Sequence, residues 1–326
     1  MVNAHDVFTI SSPSEFQSVA LDVFHHQFLH NHVYRKFCKL LKTDPETINK
    51  IEDIPFLPIE FFKTKKIVSG DLKEDLIFTS SGTTGSHVSK HYVNDITIYE
   101  KSYKTAFEYF YGSISDYCVL ALLPSYLERE GSSLIYMVDD LIKESRHADS
   151  GFYLKNTSQL KDKLIALDSD GTKILLIGVS FALLDLVEKH QFQLKNTIVM
   201  ETGGMKGRRK EMVREELHDI LKKGFGVSGI HSEYGMTELL SQAYSHGNGL
   251  FRTPSWMKIL TRDTEDPLTL QDIGKTGGIN IIDLANINSC AFIATQDLGK
   301  VCDNGNFEVL GRFDNSDIRG CNLMVL

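Results

Sequence analysis

The sequence predicts an α/β fold, with sheets flanked by helices and a β-rich section towards the C-terminus. Two observations carry this. From Leu76 onward, short apolar runs of strand length alternate with helix-period segments, the pattern of a largely parallel sheet with crossover helices. After about residue 250 the helical pattern stops, and short strands separated by Gly and Asp turns take over.

The elements follow in order. Ser12-Pro13-Ser14-Glu15 offers a capping hydroxyl, a proline at the first helical position and a glutamate placed to reach back to the cap. Phe16, Val19, Ala20, Val23 and Phe24 then recur at helical spacing. Asp44-Pro45-Glu46 reads as a second helix start. Ile54–Lys66 (IPFLPIEFFKTKK) reads as extended, because each proline pushes its predecessor away from the helical region. LIFTS (76–80), YCVLALLP (117–124), KILLIGVS (173–180) and TIVMETGG (197–204) read as buried strands. Helices are expected around 95–111, 132–145, 158–167, 181–190 and 207–222. MKILTR, GGINIIDL, CAFIAT and NFEVLGR supply the later strands. No repeat or low-complexity linker interrupts the chain, so a single continuous domain is expected. It has a helical N-terminal part (about 1–70), an α/β core (about 71–250) and a β-rich end section (about 251–326).

With 326 residues, 42% hydrophobic and 24% charged, the chain can bury a substantial core. A net charge of −8 excludes a general nucleic-acid surface, which needs clustered basic excess. The opening residues lack the basic start and long apolar run of a signal peptide, and no apolar run is long enough to span a membrane. The five cysteines (Cys38, Cys118, Cys290, Cys302, Cys321) are scattered and never form a CxxC pair, so neither a disulfide framework nor a zinc site is suggested. A cytoplasmic protein with reduced thiols is expected.

The candidate site opens with Thr79-Ser80-Ser81-Gly82-Thr83-Thr84-Gly85, directly after a strand. Glycines let the backbone turn tightly and bring its N–H groups to an anion, and hydroxyls can wrap phosphate oxygens. The loop lacks the lysine of a Walker-type loop. A surface turn in which small polar residues are merely tolerated is the alternative reading. The cluster Lys206, Arg208, Arg209 and Lys210 is read as a solvated helix face. His231 is read as a strand-end residue.

Three further strings follow in order: Tyr234-Gly235-Met236-Thr237-Glu238, Thr295-Gln296-Asp297-Leu298-Gly299 and Gly311-Arg312-Phe313-Asp314. Together with Thr79–Gly85 they resemble the motif series of the adenylate-forming superfamily (acyl-CoA ligases, amino-acid-adenylating domains, luciferases). Ile54–Lys66, residues 122–142 (LLPSYLEREGSSLIYMVDDLI) and the ending GRFDNSDIRGCNLMVL resemble, more narrowly, the acyl-protein synthetase of bacterial luminescence. This resemblance runs over nearly the whole chain. It implies the large N-terminal-type domain of adenylate-forming enzymes. The chain ends at Leu326, twelve residues after Asp314, so the mobile C-terminal lid domain and its lysine are expected to be absent.

The resemblance also implies chemistry. A carboxylic acid, for this family a fatty acid, would be activated by ATP and Mg²⁺ to acyl-AMP and passed to a cysteine near the C-terminus, here Cys321. Thr79, Ser80, Ser81, Gly82, Thr83, Thr84 and Gly85 would hold phosphates. Thr237 would donate to a phosphate oxygen, Tyr234 would stack on adenine, and Gly203 and Gly204 would form the small wall beside it. Asp297 would accept from the ribose hydroxyls and Arg312 would hold the ribose or α-phosphate. Glu238 would bind Mg²⁺, a hard cation that prefers carboxylate oxygen. Ser180 and Phe181 fall where relatives line the acyl pocket, although a core role suits Phe181 better. An acyl reductase, a carrier protein or a separate lid domain are the expected partners. Two other functions stay open: an acyl- or aryl-CoA or carrier-protein ligase using an external thiol, and a non-catalytic nucleotide-binding scaffold.

Overall fold

The computed structural model describes residues 6–71, 73–80, 88–124, 130–203 and 212–313. Helix α1 (Pro13–His30) begins as its sequence requires, with the Glu15 N–H donating to Ser12 Oγ at 3.2 Å. The Glu15 carboxylate turns one residue further out, accepting from the Ser11 N–H at 2.8 Å. Asn31 then caps α2 (His32–Leu40), its side chain accepting from the Tyr34 N–H. The expected second start at Asp44-Pro45 produces only a single 3₁₀ turn, Pro45–Thr47. Ile54–Lys66 is extended only in part: β1 (Leu57–Pro58) is followed by one helical turn, α3 (Phe61–Thr64), which begins beyond the last proline of the segment.

The middle section consists of β2 (Leu76–Thr79), β3 (Lys90–Val93), α4 (Ile96–Tyr111), β4 (Cys118–Leu122), α5 (Ser133–Ser145), β5 (Gly151–Phe152), α6 (Thr157–Ser169), β6 (Ile174–Gly178), α7 (Ser180–Lys189), β7 (Thr197–Glu201) and α8 (Arg214–Phe225). The four expected strands and the first four expected helices form within a few residues of expectation. The short strands β3 and β5 were not expected, and α8 begins at Arg214 rather than near 207. Short strands follow: β8 (His231–Tyr234), β9 (Ala243–Ser245), β10 (Leu250–Arg252), β11 (Met257–Arg262), β12 (Thr276–Asp283), β13 (Phe292–Val301) and β14 (Phe307–Arg312).

The chain forms two compact units. Among the described residues, the first gathers those up to Asp75, His91–Asn94 and those from Ser255 to Phe313. Its sheet runs β11-β12-β13-β14, all antiparallel. β1 pairs in parallel with the first half of β13 (Leu57↔Ile293), while β14 takes the second half (Asp297↔Arg312). Phe292 is fully buried at the centre of an aromatic group, its ring 5.9 Å from Tyr34, 6.3 Å from Phe24 and 6.4 Å from Phe56. Buried polar side chains of α1 and its cap complete this packing. Gln27 donates to the carbonyls of Asn286 and Ile287 and accepts from the Ala291 N–H, and Asn31 donates to the Ser289 carbonyl. The N-terminal helices therefore fold with the end of the described chain.

The second unit comprises Leu76–Lys90 and Asp95–Pro254. Strands β5, β4, β6, β7 and β8 pair in parallel in that order, and β9 and β10 extend the sheet antiparallel. Every residue of β4 and β6 is buried, as expected for parallel strands covered on both faces. Cys118, Leu120, Leu122, Ile174 and Leu176 pack with Leu160, Leu183, Leu186, Leu217 and Leu221 of α6, α7 and α8. Elsewhere in the unit Phe78, Tyr99, Tyr103 and Tyr136 form an aromatic cluster linking β2, α4 and α5. Parallel order brings the carboxyl ends of β4, β6, β7 and β8 to one edge, the usual location of ligands in such sheets.

The Phe292 side chain has no route to solvent. Phe292→Ala is expected to lower unfolding free energy by about 3–5 kcal/mol, read as a reduced urea midpoint with an unchanged slope.

Candidate active site

Loop 81–87 lies outside the described residues, so Ser81, Gly82, Thr83, Thr84 and Gly85 have no described position. Its base is defined. The Ser80 N–H donates to the Ser89 carbonyl, and the Ser89 N–H donates to Ser80 Oγ at 3.0 Å. The Ser80 hydroxyl proton is left to donate elsewhere. The Thr79 N–H donates to the Gly131 carbonyl at 2.7 Å. A Cβ on Gly131, whose φ is +82°, would stand 2.9 Å from Thr79 Oγ1. A glycine at 131 thus allows the start of the hydroxyl loop to lie against the β4–α5 connection.

At the end of β7, Glu201 is 4% exposed. Its Oε2 accepts from the Gly203 N–H at 2.7 Å and from Ser180 Oγ at 3.1 Å. Its Oε1 lies 3.6 Å from His218 Nε2 and 3.8 Å from Arg214 Nε. Burial pushes this carboxyl up, but the His218 hydrogen bond, the Arg214 charge and the Ser232 and Gly203 hydrogen bonds outweigh it and hold it below its ordinary value. Gly203 takes φ +72° with open space around it, so its backbone angle alone demands glycine. Gly204 and the Lys206–Lys210 cluster lie outside the described residues. Ser180 is buried with its hydroxyl engaged by Glu201, and Phe181 packs against the hydrophobic core.

β8 ends at Tyr234. The Tyr234 ring meets Phe251 edge-on at 5.9 Å and is only 9% exposed. Thr237 and Glu238 lie in a turn that the Leu239 N–H closes onto the Met236 carbonyl at 3.0 Å. Glu238 is 6% exposed, so it is neither a surface residue nor part of a helix. A carboxylate buried this far must be compensated by a donor or a cation.

The preceding residue pair is just as unusual. Glu233 is half-buried, and desolvation of its carboxyl pushes it up to about 8, with the Glu201 charge adding to the shift. His231 opens β8 as a strand residue, its ring 5.2 Å from His246 and 5.7 Å from Tyr111. Burial and the neighbouring His246 push it down to about 4.

Asp297 and Arg312 belong to the first unit and meet there: Arg312 Nε donates to Asp297 Oδ1 at 3.0 Å. The threonine of that string has a structural task. Thr295 Oγ1 donates to the Ile279 carbonyl and accepts from the Asp297 N–H, and the Thr295 carbonyl accepts from buried Arg262. Cys38, Cys118 and Cys290 are buried, Cys302 is half-buried, and Cys321 lies outside the described residues. Burial pushes the Cys38 thiol up to about 12 and the Cys118 thiol up to about 11, and raises that of Cys290 further.

The motif strings did not reveal Glu201, Glu233, Arg214, His218 or Gln242. The one available signal was an acid closing an otherwise apolar strand, as in TIVME. No cluster of three or more His, Cys, Asp or Glu suited to a metal occurs among the described residues. Mg²⁺ fits such a site, because it is commonly held by one or two carboxylates together with substrate phosphates, and Glu238 supplies a buried carboxylate.

Known structures share this architecture. 2-Hydroxyisobutyryl-CoA ligase in complex with R3-HIB-AMP superposes with a TM-score of 0.66 at 10% identity, covering 94% of this chain and 69% of that one. ATP-bound MatB from Rhodopseudomonas palustris gives 0.54 at 16% identity, covering 74% of this chain and 49% of that one. The fold is that of the large N-terminal-type domain of adenylate-forming enzymes. Within it, residues 11–125 match the family described as acyl-protein synthetase, LuxE. Seventy residues are 39% identical to a long-chain-fatty-acid–luciferin-component ligase of Photorhabdus luminescens, a stretch that is 21% of this chain and 60% of that protein. The chain thus spans 60% of that curated relative and about half of MatB. No helix among the described residues is long and apolar enough to cross a membrane.

The Glu201 arrangement predicts an acid limb in stability. A carboxyl held below its ordinary 4.5 contributes stability that is present above that value and lost as pH falls through the lower folded value. Wild-type melting temperature should therefore fall more steeply below pH ~4.5 than that of Glu201→Gln, which carries no titrating group there.

Proposed function

We propose that this chain activates a carboxylic acid, most suitably a long-chain fatty acid, with ATP to form acyl-AMP, and transfers the acyl group to Cys321. The carrying observation is the buried Glu238 carboxylate in the turn after β8, at the ligand edge of a sheet shared with ATP-bound and acyl-AMP-bound relatives. The identity to a long-chain-fatty-acid–luciferin-component ligase supports the fatty acid.

In the first step a substrate carboxylate oxygen attacks the α-phosphorus, and the bond from that phosphorus to the pyrophosphate oxygen breaks. Two anions are brought together and a third leaves, so fixed donors and cations carry most of the catalysis. Mg²⁺, held by Glu238, would neutralise phosphate charge. Thr237 and the hydroxyls of Thr79–Gly85 would donate to phosphate oxygens, Arg312 to the ribose or α-phosphate, and Asp297 would accept from the ribose hydroxyls. Tyr234, Gly203 and Gly204 would border the adenine. In the second step a cysteine thiolate attacks the acyl carbon, its bond to the AMP oxygen breaks, and AMP leaves.

The choice of Cys321 comes from the resemblance of the ending GRFDNSDIRGCNLMVL to the acyl-protein synthetase of bacterial luminescence. Thiolates are the nucleophiles, and burial of Cys38, Cys118 and Cys290 keeps those three protonated at neutral pH, which sets them aside but not the half-buried Cys302. An external acceptor, coenzyme A or a carrier protein, is the second reading. The fold shared with 2-hydroxyisobutyryl-CoA ligase motivates it.

Glu238→Gln should depress ATP–pyrophosphate exchange by at least ~100-fold, the scale of losing one transition-state stabilising group. Wild-type exchange in the folded variant removes the metal role of Glu238. With ATP and labelled fatty acid the wild type should acquire hydroxylamine-labile label, and Cys321→Ser should lose it while keeping exchange. Label that persists in that variant moves the acceptor to another thiol. A wild type that exchanges pyrophosphate but acylates only an added thiol supports the second reading.

A further inference from the structure

Two residues outside the motif strings, Glu233 and Gln242, pack closely against Gly235 of the Tyr234–Glu238 turn. A Cβ on Gly235 would stand 2.5 Å from Glu233 Oε1 and 3.4 Å from Gln242 Cγ. The Glu233 carboxyl is therefore folded back against the first residue of the turn, and Gln242 lies against the same residue.

Gln242 is 4% exposed, and its Oε1 atom has no hydrogen-bond partner. Its amide orientation is determined from the other end. Gln242 donates to the Tyr99 hydroxyl, and that hydroxyl uses its own proton on the Ser133 carbonyl at 3.0 Å. One N–H of the amide is thereby turned to Tyr99, which fixes Oε1 on the other side as a buried acceptor needing a donor. An ionised glutamate offers none, whereas a carboxylic acid offers one O–H.

We propose that Glu233 acts as a neutral carboxylic acid, donating its proton to Gln242 Oε1, and that this contact positions the Tyr234–Glu238 turn carrying Thr237 and Glu238. The inference rests on the adenylation reading for its functional meaning, but not for the contact itself.

The surroundings favour the neutral form. The charge of Glu201 on β7 acts on Glu233, and Glu201 in turn lies 3.8 Å from Arg214 Nε and 3.6 Å from His218 Nε2 of α8. From α4, Tyr99 and Tyr111 feel the Glu233 charge, as does Tyr244 from β9, and each is a phenol pushed above its ordinary value. His231, two residues earlier on β8, is pushed down to about 4 and is neutral at physiological pH. Burial and the Glu201 charge then hold the Glu233 proton to about pH 8. Above that pH the donor is lost.

The sign follows directly. A carboxyl raised from 4.5 to about 8 contributes stability that is complete below 4.5 and is lost as pH rises through the folded value. The order of the turn should decline over the alkaline end of that window.

The test uses the full-length protein with ¹³C-carboxyl-labelled glutamate, the Glu233 signal being assigned by its loss in Glu233→Gln. Amide hydrogen exchange of residues 234–242 is followed across pH after correction for intrinsic rates. The expected result is a Glu233 titration near 8, with protection of 235–239 falling at least ~10-fold, about 1.4 kcal/mol, over the same range. Glu233→Gln keeps a donor and should flatten that loss. Gln242→Leu should move the Glu233 titration downward, as should Gly235→Ala, which displaces the carboxyl. Titration in the ordinary carboxylate range, or protection unaffected by pH in the wild type, overturns the inference. Neither readout needs turnover. If pyrophosphate exchange is absent with every acid, the proposed function falls while these two measurements still decide the role of Glu233.

Discussion

The buried carboxylate of Glu201 is the interaction on which the second unit's ligand edge depends. One side chain at the end of β7 accepts from the start of α7 through Ser180 and from the Gly203 N–H beyond its own strand, and it pairs with Arg214 and His218 of α8. Two crossover helices and the loop after β7 are thereby referred to a single charge. Burying a carboxylate is costly unless it is compensated, and removing one partner leaves the charge exposed to that cost. The Glu201 cluster therefore restricts where Gly203 lies. Desolvation pushes the Glu233 carboxyl up to about 8, and the Glu201 charge across the β7–β8 pair adds to that shift.

Parallel pairing supplies the rest of the geometry. β6, β7 and β8 end together, so residues far apart in sequence, Ser180, Gly203 and Tyr234–Glu238, are gathered along one edge. The pinned base of the hydroxyl loop belongs to the same unit, through Thr79 and Gly131. Asp297 and Arg312 form their own pair at matching positions of β13 and β14. Their string is built into the first unit's sheet, with Thr295 and Arg262 bracing the irregular register between Gly278 and Asn280.

Much of this fold was legible in the sequence. LIFTS, YCVLALLP, KILLIGVS and TIVMETGG each contain a strand, and the four helix windows from 95 to 190 each contain a helix, because apolar periodicity there reflects packing against a sheet buried on both faces. The fifth window, 207–222, was placed too early, since that helix begins at Arg214. The failures were local. Asp44-Pro45 carries helix-start chemistry, but the backbone turns extended at Ile48, so it closes only one 3₁₀ turn. Ile54–Lys66 becomes helical once past its second proline. β9 and β10, with three residues each, are too short to carry a period. In the candidate site the motif strings marked positions of contact and missed their support. Glu201, Glu233 and Gln242 act through neighbours that only the folded sheet brings within reach, and nothing in their local sequence encodes that.

The central claim is that the acid's own oxygen becomes bonded to the α-phosphorus of ATP, and one isotope measurement tests it directly. The protein is incubated with ATP, Mg²⁺ and a long-chain fatty acid carrying heavy oxygen in its carboxylate, with a thiol acceptor present, and the products are weighed by mass spectrometry. Adenylation followed by thiol transfer predicts one heavy oxygen in AMP and none in pyrophosphate. Heavy oxygen in inorganic phosphate, accompanied by ADP, would instead show activation at the γ-phosphate and contradict the account.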